Sequence, residues 1–390
     1  MAAASGGGSS AVQDVSVTWS GHTLDIGEIE AELDRLRYLA AGEPDGDQGF
    51  AARASVLNMV VYAEHEDRAD HATRVIEDMA ENHPSRVVIL IANPSDEDSH
   101  LEADLAAHCH PNLVAGHRVC CEEIRLSVSG RAARHLHSVA IPLLVPDLPV
   151  YVWWTEKLPD DEHTLHGLLE TADRLIIDSD RFADGPAGLV RLARLAATEP
   201  AAGIGDLNWR RMAPMRELLQ RERRVEDVRH HLQSVESVEV RYASDRGAKD
   251  SAQTLLFLSW LAGELGWNLG SALGHGRERI ELHGRDQRVA VYPVPVDYPA
   301  VDPGTIVSIK IACRSELTEA LITISRTGDP SHVTVRTEHQ GEAAETSVRI
   351  PPPHPHELLM DELEAAAHDP EYRRVLNGVQ PLERATHAWG

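Results

Sequence analysis

Gly130, Arg131 and Arg134 are the residues of this sequence best suited to binding an anion. They follow the strand-like run Glu123–Ser129 and open a helical stretch. A glycine at the start of a helix leaves backbone N–H groups free, and the arginine fork matches phosphate or carboxylate oxygens. One hypothesis is therefore a site for a single phosphate or carboxylate group. The alternative is a glycine turn followed by two solvated arginines.

A second group of residues is of the type that zinc binds. It consists of His108, Cys109, His110, His117, Cys120 and Cys121. The spacing matches no standard zinc finger, and two consecutive cysteines do not easily reach one ion. We expect local structure here and no metal site. A metal-binding sensor is the alternative, and it fails if elemental analysis of the untagged protein finds no stoichiometric zinc.

Motifs for a nucleotide cofactor or an activated nucleophile are absent from the sequence. There is no G-x-x-x-x-G-K-[ST], and no G-x-G-x-x-G lies between a strand and a helix. The loops expected after the strands are mainly acidic, as at 96–98, 160–162 and Asp178–Asp184. An α/β sheet binds nucleotides at the loops that follow its strands, and acidic side chains there repel nucleotide phosphates. Asp178-Ser179 does not form a nucleophile elbow. We expect no cofactor and no catalytic residue.

Composition excludes several kinds of partner. Among 390 residues there are 62 acids and 37 bases, which gives a formal net charge of −25. Nucleic acids and anionic membranes attract clusters of lysine and arginine, so neither is an expected partner. Four cysteines do not make a disulfide framework, no run has the ~20 apolar residues of a membrane span, and the first residues lack the apolar region of a signal peptide. We predict a cytoplasmic protein.

The hydrophobic pattern of the first half indicates an α/β arrangement. Apolar runs of strand length alternate with helical stretches between residues 54 and 178, and the run Arg86–Asn93 is nearly all apolar. Alternating strands and helices are typical of a doubly wound, mostly parallel sheet that binds ligands at the carboxyl ends of its strands. The candidate anion site would lie at that edge.

From residue 186 onward the pattern changes. Helical stretches lead to Ser251–Trp267, the most apolar helix of the chain, and about six β-rich segments follow between 277 and 350. Strands without helices between them indicate an antiparallel sheet. The predicted domains are a flexible tail with an amphipathic helix at 1–50, an α/β domain at 51–185, an α+β domain with an antiparallel sheet at 186–350, and a C-terminal helical tail at 351–390.

Five segments resemble a known family in their sequence, order and spacing. They are Pro84–Ile91, Cys121–Leu126, Ser138–Trp154, Ala172–Ser179 and Gly205–Met212. Together they are similar to the OpcA family of glucose-6-phosphate dehydrogenase assembly proteins, over roughly residues 50–350. The most diagnostic part is the order Pro-Leu-Leu, Asp-Leu-Pro, Trp-Trp within the third segment.

The resemblance implies a non-catalytic protein that binds glucose-6-phosphate dehydrogenase, favours its active oligomer as an allosteric activator, and so supports the oxidative pentose phosphate pathway. The alternative function is a sugar-phosphate sensor or enzyme that uses Gly130, Arg131 and Arg134. Since the family motifs identify no contact residues, we interpret their members as structural: Pro142, Asp147, Pro149, Trp153, Trp154, Asp173, Asp178 and Trp209.

One departure from the family pattern concerns redox control. In photosynthetic relatives this control is associated with cysteines near the C-terminus, whereas residues 314–390 of this chain contain none. The resemblance therefore does not imply a thiol switch of that design here.

Overall fold

The computed structural model describes residues 15–22, 25–41, 55–80, 82–93, 101–111, 118–159, 163–182, 184–199, 201–244, 251–270, 280–284, 287–314, 319–326, 328–366 and 368–382. The chain divides into two compact units. Unit 1 comprises residues 1–155 and 161–173, and unit 2 comprises residues 156–160 and 174–390.

Unit 1 is built on a mixed sheet with the strand order β1-β4-β5-β3-β2-β6. Its described elements are β1 (Val15–Gly21), α1 (Ile26–Ala41), β2 (Leu57–Ala63), α2 (Glu66–Met79), β3 (Ser85–Asn93), β4 (Leu101–Pro111), β5 (Arg118–Ser129), α3 (Leu136–Ala140), β6 (Val150–Trp154) and α4 (His163–Leu169), with 3₁₀ helices at Gly130–His135 and Ile141–Leu143. Strands β5, β3, β2 and β6 are parallel, whereas β1, β4 and β5 are antiparallel. Every residue of β2 is buried, as is every residue of β3 except Asn93, which is the burial expected of central parallel strands.

The outer strands β1 and β4 are not predicted by the sequence pattern. β1 lies within the first fifty residues, for which a tail and a helix are expected, and it pairs with β4 from Val15↔Cys109 to Gly21↔Ala103. β4 carries alanines and acids, which have low strand propensity. Its structure is decided by the antiparallel pairing with β5, a contact between segments that no local pattern reveals.

Unit 2 contains a short parallel strand pair and a larger sheet. Its described elements are β7 (Arg174–Ile177), α5 (Gly185–Thr198), β8 (Gly203–Asp206), α6 (Leu207–Arg211), α7 (Ala213–Glu222), α8 (Glu226–His231), β9 (Val235–Ala243), α9 (Ala252–Leu265), β10 (Asn268–Leu269), β11 (Ile280–His283), β12 (Arg288–Val296), β13 (Ile306–Arg314), β14 (Glu319–Arg326), β15 (His332–His339), β16 (Glu342–Arg349), α10 (Pro355–Glu364) and α11 (Pro370–Val379), with 3₁₀ helices at Ser179–Arg181, Leu232–Ser234 and Gln380–Leu382. β7 and β8 are parallel, and the larger sheet has the order β10-β11-β12-β9-β13-β14-β15-β16.

The larger sheet is mostly antiparallel, which confirms the predicted fold class of an α/β region followed by an α+β region. The exception is β12, which runs parallel to β9. Parallel neighbours need a crossover connection, and the chain between these strands contains α9. The Ser251 hydroxyl caps the start of α9 by accepting from the Thr254 N–H at 3.1 Å, and Gly266 ends it with a left-handed φ of 71°.

Helices α10 and α11, predicted as a C-terminal helical tail, contribute to the core of unit 2. Leu359 of α10 and Tyr372, Val375 and Leu376 of α11 are buried. Across the described residues, no helix combines the length and the apolar character needed to cross a bilayer.

Candidate functional site

The candidate anion corner lies at the carboxyl end of β5. Gly130 is buried and has a φ of 71°, a left-handed conformation that favours glycine. It begins a six-residue 3₁₀ helix on which Arg131 and Arg134 are exposed, and the Arg134 carbonyl accepts a hydrogen bond from the Thr164 hydroxyl at 3.0 Å. The structure thus brings the three residues together on one short turn. Anion binding at this corner stays a prediction.

Three histidines meet beside this corner. The ring centroids of His137 and His163 lie 5.2 Å apart, those of His135 and His163 5.3 Å, and those of His135 and His137 6.4 Å. A Cβ atom at Gly167 would overlap the His137 ring, so a larger residue there would have to displace that ring. Burial and repulsion from the other two imidazoles lower the pKa of His137. The sequence did not indicate this cluster because α4 brings His163 to the other two only in the folded chain.

Five of the six predicted zinc-type ligands lie on β4 and β5. Their backbone register pairs His108 with Cys121 and Cys109 with Cys120. The His108 ring lies 3.9 Å from the Glu77 carboxylate, and burial raises the pKa of the Cys121 thiol. His117 and the side chains of Cys109, His110 and Cys120 lie outside the described residues. Within the part of the chain that the structure describes, no three His, Cys, Asp or Glu residues are arranged to hold a metal ion.

The Asp-Leu-Pro motif forms the turn before β6. Pro142, Asp147 and Pro149 are exposed, and Asp147 has a left-handed φ of 64°. The buried side chain of Asn58 holds this turn. Its amide nitrogen donates to the carbonyls of Val145 at 2.9 Å and Leu148 at 3.3 Å, and its oxygen accepts from the Val145 N–H at 2.8 Å. Such satisfied hydrogen bonds stabilise an unfavourable backbone conformation.

The remaining motif residues of unit 1 pack in or beside the strand β6. Trp153 and Trp154 are buried, and the Trp154 ring stacks on Tyr62 with centroids 3.8 Å apart. The Asp173 carboxylate accepts a hydrogen bond from the Val150 N–H at 2.8 Å. These contacts are consistent with a structural role for all three residues.

Each unit also contains a cluster of four charges of alternating sign, two of which are buried. The Arg86 cluster of unit 1 connects Arg37, Glu122, Arg86 and Glu30 in that order. Arg86 Nε lies 2.6 Å from Glu122, Arg86 Nη1 lies 2.6 Å from Glu30, and Arg37 Nε lies 2.8 Å from Glu122. The cluster joins α1 to the neighbouring strands β3 and β5.

The Glu362 cluster of unit 2 connects Arg174, Glu362, Arg210 and Asp369. Glu362 is fully buried, forms an ion pair with Arg174, and accepts from Arg210 Nε at 2.7 Å. Arg210 Nη2 lies 3.6 Å from Asp369. This cluster attaches α10 and α11 to β7 and α6.

Beside the Glu362 cluster lies Asp206, which is buried and forms no ion pair with an arginine among the described residues. Its carboxylate accepts hydrogen bonds from the Ser179 N–H at 3.0 Å, the Asn208 N–H at 2.9 Å and the Tyr372 hydroxyl at 2.8 Å. Burial, and then the charge of Asp178, raise the pKa of Asp206 to about 7. The hydrogen bonds from neutral donors offset these two effects only in part, so this carboxyl binds its proton more strongly than an exposed aspartate does.

Asp178 and Trp209, the motif residues of unit 2, have charged neighbours. Arg211 donates to the two oxygens of Asp178 at 3.2 and 3.0 Å. The Arg216 guanidinium lies 3.2 Å from the centroid of the buried Trp209 ring and forms an ion pair with Glu371 at 3.1 Å. These contacts connect α6 and α7 to the 3₁₀ helix Ser179–Arg181 and to α11.

Sequence reasoning did not find Glu362, Asp206 or Tyr372. Asp206 had one available signal, since an aspartate before Leu-Asn-Trp is typical of a helix N-cap, and it does cap α6. Glu362 and Tyr372 lie more than 150 residues from Asp206. No local pattern connects positions so distant in the chain.

The two units and their buried polar clusters place this chain among proteins that combine a mostly parallel α/β region with a mostly antiparallel α+β region. Residues 76–194 match the family domain described as the glucose-6-phosphate dehydrogenase subunit N-terminal domain, and residues 202–376 match the corresponding C-terminal domain. These two regions cover about three quarters of the chain. The chain belongs to the OpcA family, which confirms the resemblance described from five segments.

Curated relatives carry the same family name. A protein of Synechocystis sp., named for OpcA and the OxPP cycle, is 33% identical over 199 residues, which cover 50% of this chain and 39% of the relative. Its counterpart in Nostoc punctiforme is 30% identical over 247 residues, which cover 62% of this chain and 51% of the relative. The chain spans about half or less of the length of these relatives.

Solved structures of oxidoreductases are also similar to this chain. A 3-ketoreductase from Actinomadura kijaniata has a TM-score of 0.47 and 12% identity, covering 84% of this chain and 96% of that one. An oxidoreductase from Bacillus subtilis has a TM-score of 0.45 and 10% identity, covering 85% and 97%. TM-scores below 0.5 support no conclusion about the activity of this chain.

Proposed function

We propose that this chain binds glucose-6-phosphate dehydrogenase in the cytoplasm and supports the OxPP cycle without catalysing a reaction itself. The observation that carries the proposal is that two consecutive regions match the two domains of one family, both described as parts of a glucose-6-phosphate dehydrogenase subunit. The names of the curated relatives support the assignment to the OxPP cycle.

The contacts of the motif residues support a scaffold rather than an enzyme. The Asp178 carboxylate is held by Arg211 and the Trp209 ring by Arg216. Asp206, which lies beside them, is held by Tyr372 and two backbone N–H groups. A general acid or base must reach a substrate proton, and side chains already bonded in the interior do not. Their role in this proposal is to hold α6 and the C-terminal helices in place.

The proposed mechanism is a population shift of the dehydrogenase. If the chain binds the active oligomer more tightly than the inactive form, the equilibrium moves toward the active oligomer by the difference in binding free energy. A tenfold difference in affinity corresponds to about 1.4 kcal/mol. The resulting increase in flux would supply NADPH.

The test is a titration of the purified dehydrogenase with the purified chain. Steady-state kinetics give kcat and the KM for glucose 6-phosphate, and sedimentation velocity gives the size of the complex. We expect a changed kinetic constant together with a faster-sedimenting species. The chain alone, assayed with glucose 6-phosphate and NADP⁺, is the control for intrinsic activity. Unchanged kinetics and unchanged sedimentation at micromolar concentrations contradict the proposal.

The net charge of −25 adds an expectation about association. Opposite charges steer two proteins together, and salt screens this attraction. We expect the association rate constant to fall as salt is added, and the contact face of the dehydrogenase to be basic. A rate constant that does not depend on salt contradicts electrostatic steering but leaves the binding itself intact.

The sugar-phosphate site at Gly130, Arg131 and Arg134 is the second candidate function. The observation in its favour is that both arginines are exposed on one turn beside three imidazoles. Calorimetric titration with glucose 6-phosphate, 6-phosphogluconate and nucleotides tests it. A heat of binding that is lost in the Arg131→Ala/Arg134→Ala variant supports this function. If none of the ligands produces a heat of binding, the sugar-phosphate site is excluded.

A further inference from the structure

The last strand of the larger sheet, β16, has an open outer edge. It pairs with β15 at all eight positions from Glu342 to Arg349, and the strand order of the sheet ends with it. Seven of its residues are exposed and Val348 is half-buried. Among the described residues, no strand lies on its other side. Both faces and the outer edge of β16 are therefore open to solvent.

Open edges of this kind are usually protected. Natural proteins place charged side chains (lysine above all), proline or a β-bulge on an exposed edge strand, because its unpaired N–H and C=O groups otherwise pair with another strand. The sequence of β16, Glu-Ala-Ala-Glu-Thr-Ser-Val-Arg, carries charges of both signs that a second strand can match, contains no lysine or proline, and keeps an unbroken register with β15. β16 is thus a regular template for one more strand.

The hairpin geometry determines which backbone groups of β16 point outward. Gln340 and Gly341 form a two-residue turn with φ values of 51° and 86°, the pattern of a type I′ hairpin. At the other end, the Ile350 N–H donates to the Ser331 carbonyl at 2.6 Å. Even-numbered residues therefore bond to β15, and residues 343, 345, 347 and 349 direct their N–H and C=O groups to the open edge.

We propose that β16 pairs antiparallel with β16 of a second copy of this chain, around a two-fold axis at Ser347. In this register Glu345 lies directly opposite Arg349 of the second copy, and the symmetry repeats the pair. A register centred on Glu345 would instead place the Glu345 carboxylates of the two copies opposite each other. A register centred on Thr346 would place Glu345 opposite a serine. Beyond the strand, Pro351 lacks an N–H group and ends the ladder.

The charges of β16 favour a second copy as the occupant. Arg349 has no ion-pair partner within the described part of the chain, and Glu345 has only a long contact, 3.6 Å from Arg336 Nη1. The proposed register gives each of these groups an opposite charge. Pairing along a single edge buries less than the ~1,200 Å² of a standard interface, so the dimer is weak and forms at high concentration. The inference concerns the chain alone and does not depend on the proposed function.

Cysteine cross-linking of the full chain tests the register. The Cα atoms of the two Ser347 residues would lie about 5.5 Å apart, within the range that a disulfide spans, so the Ser347→Cys variant should form a covalent dimer under mild oxidation. The matched control is Ala343→Cys, whose two copies would lie eight residues apart along the ladder, about 27 Å. We expect cross-linking of the first to be at least about tenfold faster. Equal rates, or no cross-linked dimer, overturn the proposal.

Charge exchange tests the pairing without a new covalent bond. Sedimentation over a wide concentration series should show reversible dimers of the unmodified chain. The Arg349→Glu variant should weaken association about tenfold, because like charges then face each other twice. The Glu345→Arg/Arg349→Glu variant should recover it. A monomer at every concentration, or no recovery, contradicts the proposal. Cross-linking of Ser347→Cys only to an added dehydrogenase also overturns it, since the edge then binds the enzyme.

Discussion

The Arg86 cluster and the Glu362 cluster contain the same charges, but they differ in access to solvent. In unit 1 both ends of the cluster reach water, because the Arg37 side chain is 16% exposed and that of Glu30 36%. In unit 2 the Asp369 end is also 16% exposed, but the end formed by Arg174 is only 1% exposed. A charge that loses its partner is tolerated where water can replace that partner and is costly where it cannot. The comparison indicates that unit 2 depends more strongly on its central charge.

The two clusters also differ in their neighbours. Asp206 lies beside the Glu362 cluster, donates its backbone N–H to Glu362 at 3.2 Å, and is itself held by neutral donors. Two carboxyl groups therefore hold α10 and α11 against the rest of unit 2. Glu362 is fully paired with arginines, whereas Asp206 has a pKa that is raised to about 7. We therefore expect the attachment to depend on pH through Asp206.

Removing the central charge of unit 2 should have the largest effect. Glu362→Gln leaves Arg174 buried without a carboxylate, and we expect a loss of about 3–5 kcal/mol in the free energy of unfolding. Urea unfolding followed by tryptophan fluorescence measures it. Glu364→Gln on the exposed side of the same helix is the control, with a change below about 0.5 kcal/mol. Equal effects of the two variants would show that the ion pairs of Glu362 contribute little.

The equivalent change in unit 1 should be smaller. Arg86→Met removes the central cation, but Glu122 keeps Arg37 at 2.8 Å and Glu30 turns toward water. We expect a loss of about 2–3 kcal/mol, measured in the same urea experiment. A loss larger than that of Glu362→Gln contradicts the explanation by solvent access.

Asp206 should make unfolding depend on pH. Its folded pKa of about 7 lies above the ordinary value of 3.8, so the folded state binds the proton more strongly. This contribution is complete below pH 3.8 and is lost as pH rises to about 7. Asp206→Asn, which resembles the protonated form, should remove a decrease on the order of 2 kcal/mol between pH 4 and 7. Identical pH profiles for the variant and the unmodified chain would exclude Asp206 as the source.

The smallest effect on stability is expected at the anion corner. Arg131 and Arg134 are exposed, and exposed substitutions usually change the free energy of unfolding by less than about 0.5 kcal/mol. The Arg131→Ala/Arg134→Ala variant should therefore unfold like the unmodified chain in urea. A clear loss of stability would mean that these two arginines make contacts that stabilise the fold, although both are exposed in the structure.

Much of the fold could be predicted where the local pattern and the burial agree. The apolar run Arg86–Asn93 becomes the central strand β3, and the helix near Ser251–Trp267 becomes α9 between a serine cap and a glycine. The prediction failed for β1 and β4, whose residues have weak strand propensity and which exist through pairing with each other and with β5. The interpretation of Trp153, Trp154 and Trp209 as structural residues agrees with their burial, whereas anion binding at Gly130 stays a prediction.

The sequence by itself determined the family and the alternation of strands and helices, because both depend on residues that are near one another in the chain. Only the tertiary structure decided which distant charges meet. Glu362 lies 188 residues from Arg174, and Tyr372 lies 166 residues from Asp206. Contacts of this kind leave no repeating pattern in the sequence, because each contact needs only one side chain from each segment. The physical reason is that burial in low dielectric, and not sequence separation, determines which polar groups must find a partner.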